Sequence, residues 1–373
     1  PNTMFSITIN PQNDAPVATD GNVSVLEDTT AIVTLTATDP DVGDTIEQYQ
    51  ILSLPGHGVL KLEGVVVNAG DTATQAQIDT GALTFEPEAN WNGSTALTFI
   101  AYDGEYWSIN TGTFTIDVTA MNDAPILGNI EGTALSFTEK DPPIAITNTI
   151  TVSDVDDTDL EDATISISSG YVIGEDTLSF TNQLGIIGSW NSATGILTLS
   201  GTSSVANYQT ALRSVTYSNF SEDPDTTVRT ISFVVNDGDA DSNTSWRDIT
   251  ITAVNNEPIL STNTGATVLE GGTETIDNTE LQVTDVDNTP AELQFTLIVV
   301  PANGLLKLNG TTLSVSDTFT QADIDNNVLT YEHDGSETIS DSFQFTVFDG
   351  SGGSIPNTMF SITINPQNDA PVA

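Results

Sequence analysis

The sequence contains no cysteine, and only six lysines and arginines stand against 52 aspartates and glutamates in its 373 residues. The absence of cysteine excludes disulfide bridges and thiolate metal sites. A formal net charge of −46 repels phosphate backbones and anionic membrane surfaces, which argues against a nucleic-acid partner. No apolar run approaches the roughly 20 residues of a membrane-spanning helix, so we expect this segment not to be membrane-embedded.

The apolar residues that are present follow a pattern that builds a core despite the acidic excess. Hydrophobic residues make up 38% of the chain, and they alternate with polar residues in Thr- and Val-rich stretches. Helical periodicity is almost missing, and about seven strand-like stretches occur in about 110 residues. The sequence therefore predicts an all-β fold of tandem antiparallel β-sandwiches, about seven strands each, joined end to end. In the first of them the predicted strands are Ser24–Leu26, Ile32–Ala37, Gly58–Leu62, Ala82–Phe85, Ala96–Tyr102 and Thr113–Val118.

An internal repeat sets the predicted domain boundaries. The stretch Pro1–Ala18 recurs without change as Pro356–Ala373, and an Asn-Asp-Ala-Pro linker within it recurs inside the chain. The linkers begin at Asn13, Asn122, Asn255 and Asn368, and their spacing suits one domain each. We expect residues 1–12 to be the last strand of a preceding repeat, with Phe5–Ile9 as the strand. The predicted domains are 13–121, 122–254 with insertions, and 255–373 including the following linker.

Short helical turns are predicted before one late strand of each domain. They cover Thr74–Asp79, Ser204–Leu212 and Thr320–Asp325, and each begins with a capping-type residue. The first and third domains are close relatives, because the Gly58–Leu62 strand is matched by Gly304–Leu308.

Acidic residues occupy four positions that keep the same order in all three domains. The first is a Glu near the end of the first strand, and an Asp-x-Asp loop follows the second strand. The third is an acidic loop after an aromatic strand, and the fourth is an Asp-Gly turn before the last strand. In this order the residues are Glu27, Glu139 and Glu270; Asp39 and Asp41, Asp154 and Asp156, Asp285 and Asp287; Glu86 and Glu88, Glu222 and Asp223, Glu332 and Asp334; Asp103, Asp237 and Asp349.

These positions are expected to meet at the linkers. Strands of a sandwich run alternately between its two ends, so the Asp-x-Asp loop and the Asp-Gly turn share one end, and the other two classes share the opposite end. In a tandem array, opposite ends of successive domains face each other. The first internal joint should thus gather Glu27, Glu86, Glu88, Asn122, Asp123, Asp154, Asp156 and Asp237.

So many carboxylates repel one another unless a hard cation neutralises them. Ca²⁺ is the favoured ion because it accepts six to eight oxygen ligands in flexible geometry, whereas Mg²⁺ needs a stricter octahedron. Zinc has only His57 and His333 as nitrogen ligands. A complete EF-hand loop is absent, and isolated Asp-Gly or Asp-x-Asp motifs often only form turns. The ordered repetition of the whole set is what favours calcium.

These acidic classes and the Asx-rich linkers ending in Pro resemble bacterial cadherin-like tandem repeats of large surface and secreted adhesins. The third domain, with Gly304–Leu308, Thr320–Asp325 and Tyr331–Gly335, also resembles chondroitin-sulfate-proteoglycan-type repeats. The resemblance covers the full chain and implies calcium ions at each joint, extracellular residence at a bacterial surface or in secreted form, and adhesive or extending roles.

The sequence departs from the family pattern at two places. At the second joint Asn255-Asn256 replaces Asn-Asp, which implies fewer or more weakly held ions there. The two terminal sites are expected to be incomplete in this segment, because their partner domains lie outside it. Their linker ligands would be Asn13, Asp14, Asn368 and Asp369.

Two other functions are open. An enzyme needs a nucleophile, an acid/base pair or a cofactor site, and the acids lie at linker ends while the two histidines lie far apart in sequence; we expect no catalysis. Carbohydrate binding is the sharper alternative, because exposed aromatic rings can stack on sugars. The pair Tyr106-Trp107 follows an Asp-Gly-Glu turn and is the favoured glycan site, whereas Trp91 and Trp190 are expected in the core or over a sheet edge.

The sequence therefore predicts a calcium-rigidified extracellular spacer within a long repetitive adhesin or filament; a lectin-like module is the alternative. Its partners would be neighbouring repeats, further copies of itself in a filament or matrix, or surface glycans.

Overall fold

The computed structural model describes residues 4–5 and 12–368, and strands dominate throughout that part of the chain. Alternating burial along the strands produces three separate hydrophobic cores. Phe85 and Phe99 lie in the first core, Tyr208 and Phe233 in the second, and Phe295 in the third; all five side chains are fully buried. The predicted fold class, tandem β-sandwiches, is confirmed.

The first sandwich consists of a five-stranded sheet in the order β2-β11-β10-β5-β8, a four-stranded sheet β3-β9-β6-β7 and the pair β1-β4. Its strands are β1 (Val17–Thr19), β2 (Gly21–Leu26), β3 (Ala31–Ile32), β4 (Thr36–Thr38), β5 (Gln48–Ser53), β6 (Gly58–Leu62), β7 (Val65–Val66), β8 (Thr72–Thr74), β9 (Leu83–Pro87), β10 (Gly93–Tyr102) and β11 (Gly112–Thr119).

The second sandwich has a six-stranded sheet, β13-β22-β21-β16-β19-β18, a three-stranded sheet, β14-β20-β17, and the pair β12-β15. The strands are β12 (Ile126–Gly128), β13 (Leu135–Thr138), β14 (Ile144–Ala145), β15 (Thr151–Ser153), β16 (Asp159–Ser169), β17 (Asp176–Ser179), β18 (Ile187–Asn191), β19 (Ile196–Ser204), β20 (Thr216–Asn219), β21 (Arg229–Asn236) and β22 (Ser245–Thr252).

The third sandwich repeats the sheet orders of the first, with β24-β33-β32-β27-β30, β25-β31-β28-β29 and β23-β26. Its strands are β23 (Ile259–Asn263), β24 (Ala266–Leu269), β25 (Thr273–Thr275), β26 (Leu281–Thr284), β27 (Gln294–Val299), β28 (Gly304–Leu308), β29 (Thr311–Thr312), β30 (Thr318–Thr320), β31 (Leu329–His333), β32 (Ser340–Phe348) and β33 (Ser354–Asn365).

Each large sheet contains a parallel pair of strands. The strand just before the Glu of the first acidic class runs parallel to the last strand of the sandwich: β2 with β11, β13 with β22, and β24 with β33. Parallel pairing brings the end of the first strand to the place where the chain leaves the sandwich. It thereby places the Glu of each sandwich beside the linker that follows.

The three helical turns form where the sequence predicts them. They are α1 (Gln75–Asp79), α2 (Val205–Ser214) and α3 (Gln321–Asp325). Thr74 and Thr320 make full capping boxes with Gln77 and Asp323, and Ser204 caps α2 through the Asn207 amide.

The chain packs as two compact units. The first takes in the chain up to Ile126 together with Ser153–Thr158 and Asn236–Ser242. The second comprises Leu127–Val152, Asp159–Val235 and the chain from Asn243 onward. Two acidic loops that belong by sequence to the second sandwich therefore pack within the first unit. The predicted boundaries at 121/122 and 254/255 stay predictions, and the strand predicted over Phe5–Ile9 lies, apart from Phe5, outside the described residues.

Candidate metal centres

The linkers are tied to the acidic loops by the same pair of hydrogen bonds at three places. The linker Asn donates its side-chain amide to the Asp of the Asp-Gly turn, and the backbone amide of the next residue donates to the second Asp of the Asp-x-Asp loop. The first bond joins Asn13 to Asp103 (3.0 Å), Asn122 to Asp237 (3.0 Å) and Asn255 to Asp349 (2.7 Å). The second joins Asp14 to Asp41 (2.6 Å), Asp123 to Asp156 (3.1 Å) and Asn256 to Asp287 (2.5 Å).

We define three clusters from these ties. The N-terminal cluster contains Asn13, Asp14, Asp39, Asp41 and Asp103. The first-linker cluster contains Glu27, Asn122, Asp123, Asp154, Asp156 and Asp237, all of which lie in the first compact unit. The second-linker cluster contains Glu139, Asn255, Asn256, Asp285, Asp287 and Asp349, all in the second unit.

Hydrogen bonds within the loops and turns hold the carboxylates in position. In each Asp-x-Asp loop the first Asp accepts the amide of the second, at 2.8 Å for Asp39, 3.2 Å for Asp154 and 2.9 Å for Asp285. In the Asp-Gly turns the glycine has positive φ, 105°, 108° and 84° at Gly104, Gly238 and Gly350. This left-handed conformation lets later amides of the turn converge on the Asp, as those of Asp239 and Ala240 do on Asp237.

The Glu at the end of the first strand ties the other side of each linker. Glu27 and Glu139 are buried, and their carboxylates accept the amides of Met121 (2.6 Å) and Val254 (2.8 Å), the residues just before the linker Asn. Glu270 accepts the amide of Gln367 in the same way (3.0 Å). The linker backbone is thus held by carboxylates from both sides.

One oxygen of each cluster is buried without a partner. Among the described residues, Asp39, Asp154 and Asp285 each have an Oδ2 atom that is shielded from solvent and makes no hydrogen bond. The Oδ2 of Asp123 is in the same state. The Oδ2 atoms of Asp39, Asp154 and Asp285 are equivalent, one in each sandwich. They fit the binding of a cation through oxygen ligands, because buried polar atoms are otherwise nearly always paired.

The acids of the first-linker cluster also act on one another. Burial raises the pKa of Asp123, and the carboxylates of Asp156, Asp28, Glu27 and Asp154 raise it further. Burial likewise raises the pKa of Asp157, with Asp156 and Asp154 adding to the effect. Raised pKa values at neighbouring acids indicate that burial and mutual repulsion both disfavour their ionised forms.

The Asp of each Asp-Gly turn behaves in the opposite way. Burial acts to raise its pKa, but hydrogen bonds from the linker Asn and the turn amides outweigh burial and lower the pKa of Asp103, Asp237 and Asp349. These carboxylates remain ionised and anchor the linker.

Two compact triads offer ligand oxygens to a single ion. Their oxygens lie within 4.8 Å of one another; the triads are Asp39, Asp41 and Asp44, and Asp154, Asp156 and Asp157. Cavities adjoin all three clusters, with volumes of about 580 Å³ beside Asp41, about 280 Å³ between Asp123 and Asp154, and about 480 Å³ beside Asp285. The donor set is entirely oxygen, which fits a hard cation such as Ca²⁺.

Some predicted ligands lie elsewhere. Glu86 pairs with Lys61 (2.5 Å), Glu332 pairs with Lys307, and Glu88 faces His57 at 3.4 Å. Asp334 accepts the amide of Ser336. In the described part of the chain, no contact joins these four residues or the Asp223 side chain to a linker. Asp369 lies outside the described residues, and the ligand role of Asn368 stays a prediction.

Sequence reasoning missed three residues that lie beside the clusters. Asp28 and Lys140 directly follow the buried Glu, and Asn288 directly follows the Asp-x-Asp loop of the third sandwich. Asn288 Oδ1 is buried and unpaired among the residues described. Aligning the residue after each repeated acid would have found all three.

The predicted aromatic pair is only partly exposed. Tyr106 is exposed, but the Trp107 ring is half-buried against Tyr102, with ring centroids 4.8 Å apart. Trp246 on β22 is the more exposed tryptophan, at 58%.

With this geometry established, comparison with known proteins identifies the class. Residues 258–364 match the family described as cadherin-like, and residues 13–119 match the family described as bacterial Ig domain. The expected resemblance to cadherin-like repeats is confirmed by these matches: the third sandwich is similar to the cadherin-like family and the first to the bacterial Ig family.

Two of the similar proteins are named as extracellular matrix proteins. The chain is 27% identical over 98% of its length to human FRAS1-related extracellular matrix protein 2, of which it covers 11%. It is 29% identical over 85% of its length to extracellular matrix protein 3 of Lytechinus variegatus, covering 10% of that protein. It is also 36% identical over 32% of its length to human chondroitin sulfate proteoglycan 4, covering 5% of it. The chain spans about a tenth of the length of the first two relatives.

Within the described residues, no helix has the length and apolar character that crossing a membrane requires.

Proposed function

We propose that the chain is a calcium-rigidified spacer of a long extracellular protein. The observation that carries this is the recurrence of a buried, unpaired carboxylate oxygen on Asp39, Asp154 and Asp285, one in each sandwich. A fold that buries the same bare anion three times needs a counter-ion at the same place three times.

The ligands are oxygens of the loops described above. In the first-linker cluster they would be the free oxygens of Asp123 and Asp154, with Asp156 and Asp157 completing the set. Bound Ca²⁺ would supply the positive charge that these carboxylates lack, and its variable coordination tolerates the different residue sets of the three clusters.

The spacer role follows from what the ligands are attached to. Asp123 belongs to the linker, whereas Asp154 and Asp156 belong to a loop of the second sandwich. Glu27 belongs to the first sandwich and accepts the Met121 amide just before the linker. An ion that binds this assembled arrangement better than a splayed one favours the assembled arrangement by mass action. The linker then acts as a stiff connection rather than a flexible one.

The wider setting is inferred from the relatives. We place the chain outside the cell, at a surface or in secreted form, as a structural segment without catalytic activity. The proposed repeats, 13–121, 122–254 and 255–373, would contact neighbouring repeats and further copies in a filament or matrix.

The test is removal of calcium from the purified chain. A chelator is expected to lower the melting temperature and shift small-angle scattering towards a more flexible ensemble, and added Ca²⁺ should reverse both. The double variant Asp154→Ala/Asp156→Ala should show the chelated scattering even with calcium, while each sandwich stays folded. As a matched control, Glu337→Gln alters an exposed acid outside the clusters. Identical melting and scattering with and without calcium would refute the proposal.

Carbohydrate binding stays a second candidate because of Trp246. This exposed ring borders cavities of about 270 Å³ and about 440 Å³, and Ser168, Thr230, Ser232 and Asp248 line the larger one. An aromatic face beside hydroxyl and carboxylate groups suits a neutral sugar, while the net charge of −46 disfavours an anionic one.

A screen of neutral oligosaccharides against the full chain tests this candidate. Binding that disappears in Trp246→Ala and persists in Tyr106→Ala would place the site on β22. Loss in Tyr106→Ala alone would place it at the Asp-Gly-Glu turn, and no binding in the screen would leave the spacer role.

A further inference from the structure

The second-linker cluster contains a cation of its own. The Nζ atom of Lys140 lies 2.9 Å from Glu139 Oε1 and 3.1 Å from Glu222 Oε2, and it also donates to Asn256 Oδ1. Glu139 is the buried carboxylate that holds the Val254 amide, with a side chain only 1% exposed. The ammonium group therefore bridges the end of the second sandwich and the linker.

In the first-linker cluster an acid stands at the equivalent place. Glu27-Asp28 aligns with Glu139-Lys140, and the linker residue Asp123 aligns with Asn256. Asp123 Oδ2 is buried without a hydrogen bond among the described residues, whereas the side-chain oxygen of Asn256 accepts from Lys140. Asn256 Nδ2 in turn donates to the Glu222 carbonyl at 2.7 Å. Within the described residues, the linker side-chain oxygen thus has no hydrogen bond in the first cluster, at Asp123 Oδ2, and has one in the second, at Asn256 Oδ1.

The two differences compensate one another. Lys140 adds a positive charge where Asp28 has a negative one, and Asn256 removes the linker carboxylate that an ion would need. A side-chain ammonium and a divalent ion cannot share one small pocket, because both are positive and both need the same oxygens.

Backbone geometry makes a lysine sterically costly at this position. The residue after the Glu of the first acidic class has positive φ in all three sandwiches: 58° at Asp28, 68° at Lys140 and 65° at Gly271. Only glycine adopts this conformation without steric cost. The second sandwich nevertheless has a lysine there, and its ammonium makes three contacts that a glycine could not make.

We propose that Lys140 is a tethered replacement for a metal ion, so that the Glu139 side of the second linker is held without calcium. The ion site that remains in this cluster is on the other side, where Asp285 Oδ2 and Asn288 Oδ1 are buried without hydrogen bonds in the described structure. The two linkers then differ in calcium dependence: the first needs ions on both sides and the second on one. This inference rests on the proposed calcium function for its comparison of the two linkers.

Two backbone amides report on the two sites in the full chain. The Met121 amide bonds to Glu27, and the Val254 amide bonds to Glu139. Hydrogen exchange read on peptides containing these residues should show that a chelator accelerates exchange at Met121 by about tenfold, the size expected when a hydrogen bond to a charged group is lost. Val254 should stay protected in the same sample.

Substitution of the lysine should transfer calcium dependence to the second linker. In Lys140→Met, Val254 is expected to lose protection by about tenfold in chelator and regain part of it in excess Ca²⁺. Lys307→Met is the matched control, because it removes the same charge from a lysine paired with Glu332 away from both reporters. The reciprocal variant Asp28→Lys/Asp123→Asn should leave Met121 protected in chelator.

The outcomes separate this inference from the calcium function itself. If Met121 responds to the chelator but Val254 responds equally in the unmodified chain, or Lys140→Met leaves Val254 protected, the role of Lys140 is wrong and the calcium function stands. If Met121 does not respond, the calcium function fails, and Lys140 has no ion to replace.

Discussion

At the scale of single residues, each cluster has a buried carboxylate oxygen that makes no hydrogen bond within the described residues. A buried anion without a hydrogen bond or counter-ion is unfavourable, and removing its charge relieves that cost. The same anion becomes favourable once a cation binds. The effect of a charge-removing substitution on stability should therefore be positive without calcium and negative with calcium.

Asp154→Asn is the substitution that shows this reversal. In chelator it should raise the melting temperature, because it removes repulsion with Asp156 and Asp157. In saturating calcium it should lower the melting temperature, because a ligand carboxylate is lost; we expect about 1 kcal/mol in each direction. Calorimetry of both forms measures it, with Glu337→Gln as the control that should not change. The same sign of effect in both conditions would contradict an ion at Asp154.

Glu280 provides a pH dependence that is separate from the clusters. Burial and, to a smaller extent, the carboxylates of Glu274 and Asp277 raise its pKa from 4.5 to about 7. Its Oε2 has no hydrogen bond within the described structure. Because the folded pKa lies above the unfolded one, the protonated form stabilises the fold below about pH 4.5, and this stability is lost as the pH rises through about 7.

Glu280→Gln should remove that loss. Relative to the unmodified chain, its free energy of unfolding should rise between pH 5 and pH 8 by about 1 kcal/mol, a value reduced from the full shift because the carboxyl group is partly solvated. Urea titrations at the two pH values measure the difference. Glu292→Gln is the control, since hydrogen bonds from Thr289 lower the pKa of Glu292 below its ordinary value of 4.5, so its effect should not change between pH 5 and pH 8. A pH-independent difference for Glu280→Gln would contradict the raised pKa.

At the scale of strands and loops, Arg229 shows how an element can depend on one buried charge. It begins β21 with a fully buried side chain, and its Nε lies 3.0 Å from Asp176 Oδ2, itself fully buried. It also reaches Asp225 at 3.3 Å, in the loop that includes Glu222, the residue that pairs with Lys140. Tyr217 donates to Asp176 at 2.6 Å and completes the network.

Arg229→Met should destabilise the second sandwich by about 3–5 kcal/mol, because it leaves the Asp176 carboxylate buried without its cation. Chemical denaturation followed by hydrogen exchange in β21 measures the loss. Arg213→Met is a matched control, since Arg213 donates only to the carbonyl groups of Ile150 and Thr149 and should cost much less. Adding Asp176→Asn to Arg229→Met should restore part of the stability. Equal costs for the two arginines would show that the buried ion pair has no special role.

The regular elements could be predicted from sequence because their signals are local. Alternation places β6 at Gly58–Leu62, and the Thr-Gln-Ala signature places α1 and α3. The ordered acids also indicate the linker clusters, since strand direction alone brings those loop classes to one end of a sandwich.

What could not be predicted depends on pairing across strands and on backbone conformation. Lys61 and Glu86 meet because β6 pairs with β9, and this register diverts Glu86 from the linker. The sequence does not distinguish Lys140 from a surface lysine, because its left-handed backbone conformation and its contact with Glu139 are visible only in the structure. Arg229 and Asp176 lie 53 residues apart, so nothing local links them.

At the scale of the whole molecule, the net charge of −46 makes stability depend on the surrounding ions. Raising monovalent salt from about 0.01 M to about 1 M shortens the screening length from about 30 Å to about 3 Å. In chelator this should raise the melting temperature, because repulsion among the acids is screened. In saturating calcium the rise should be smaller, because bound ions already neutralise the acids that lie closest together.

The difference between the two salt responses measures how much of the repulsion is located in the clusters. Asp154→Asn should reduce the salt response in chelator, whereas Glu337→Gln, with the same change in net charge, should leave it nearly unchanged. A salt response that is equal with and without calcium would mean that the repulsion is spread over the whole surface. In that case bound ions would act as general counter-ions and not as the fixed links between sandwiches that a stiff spacer requires.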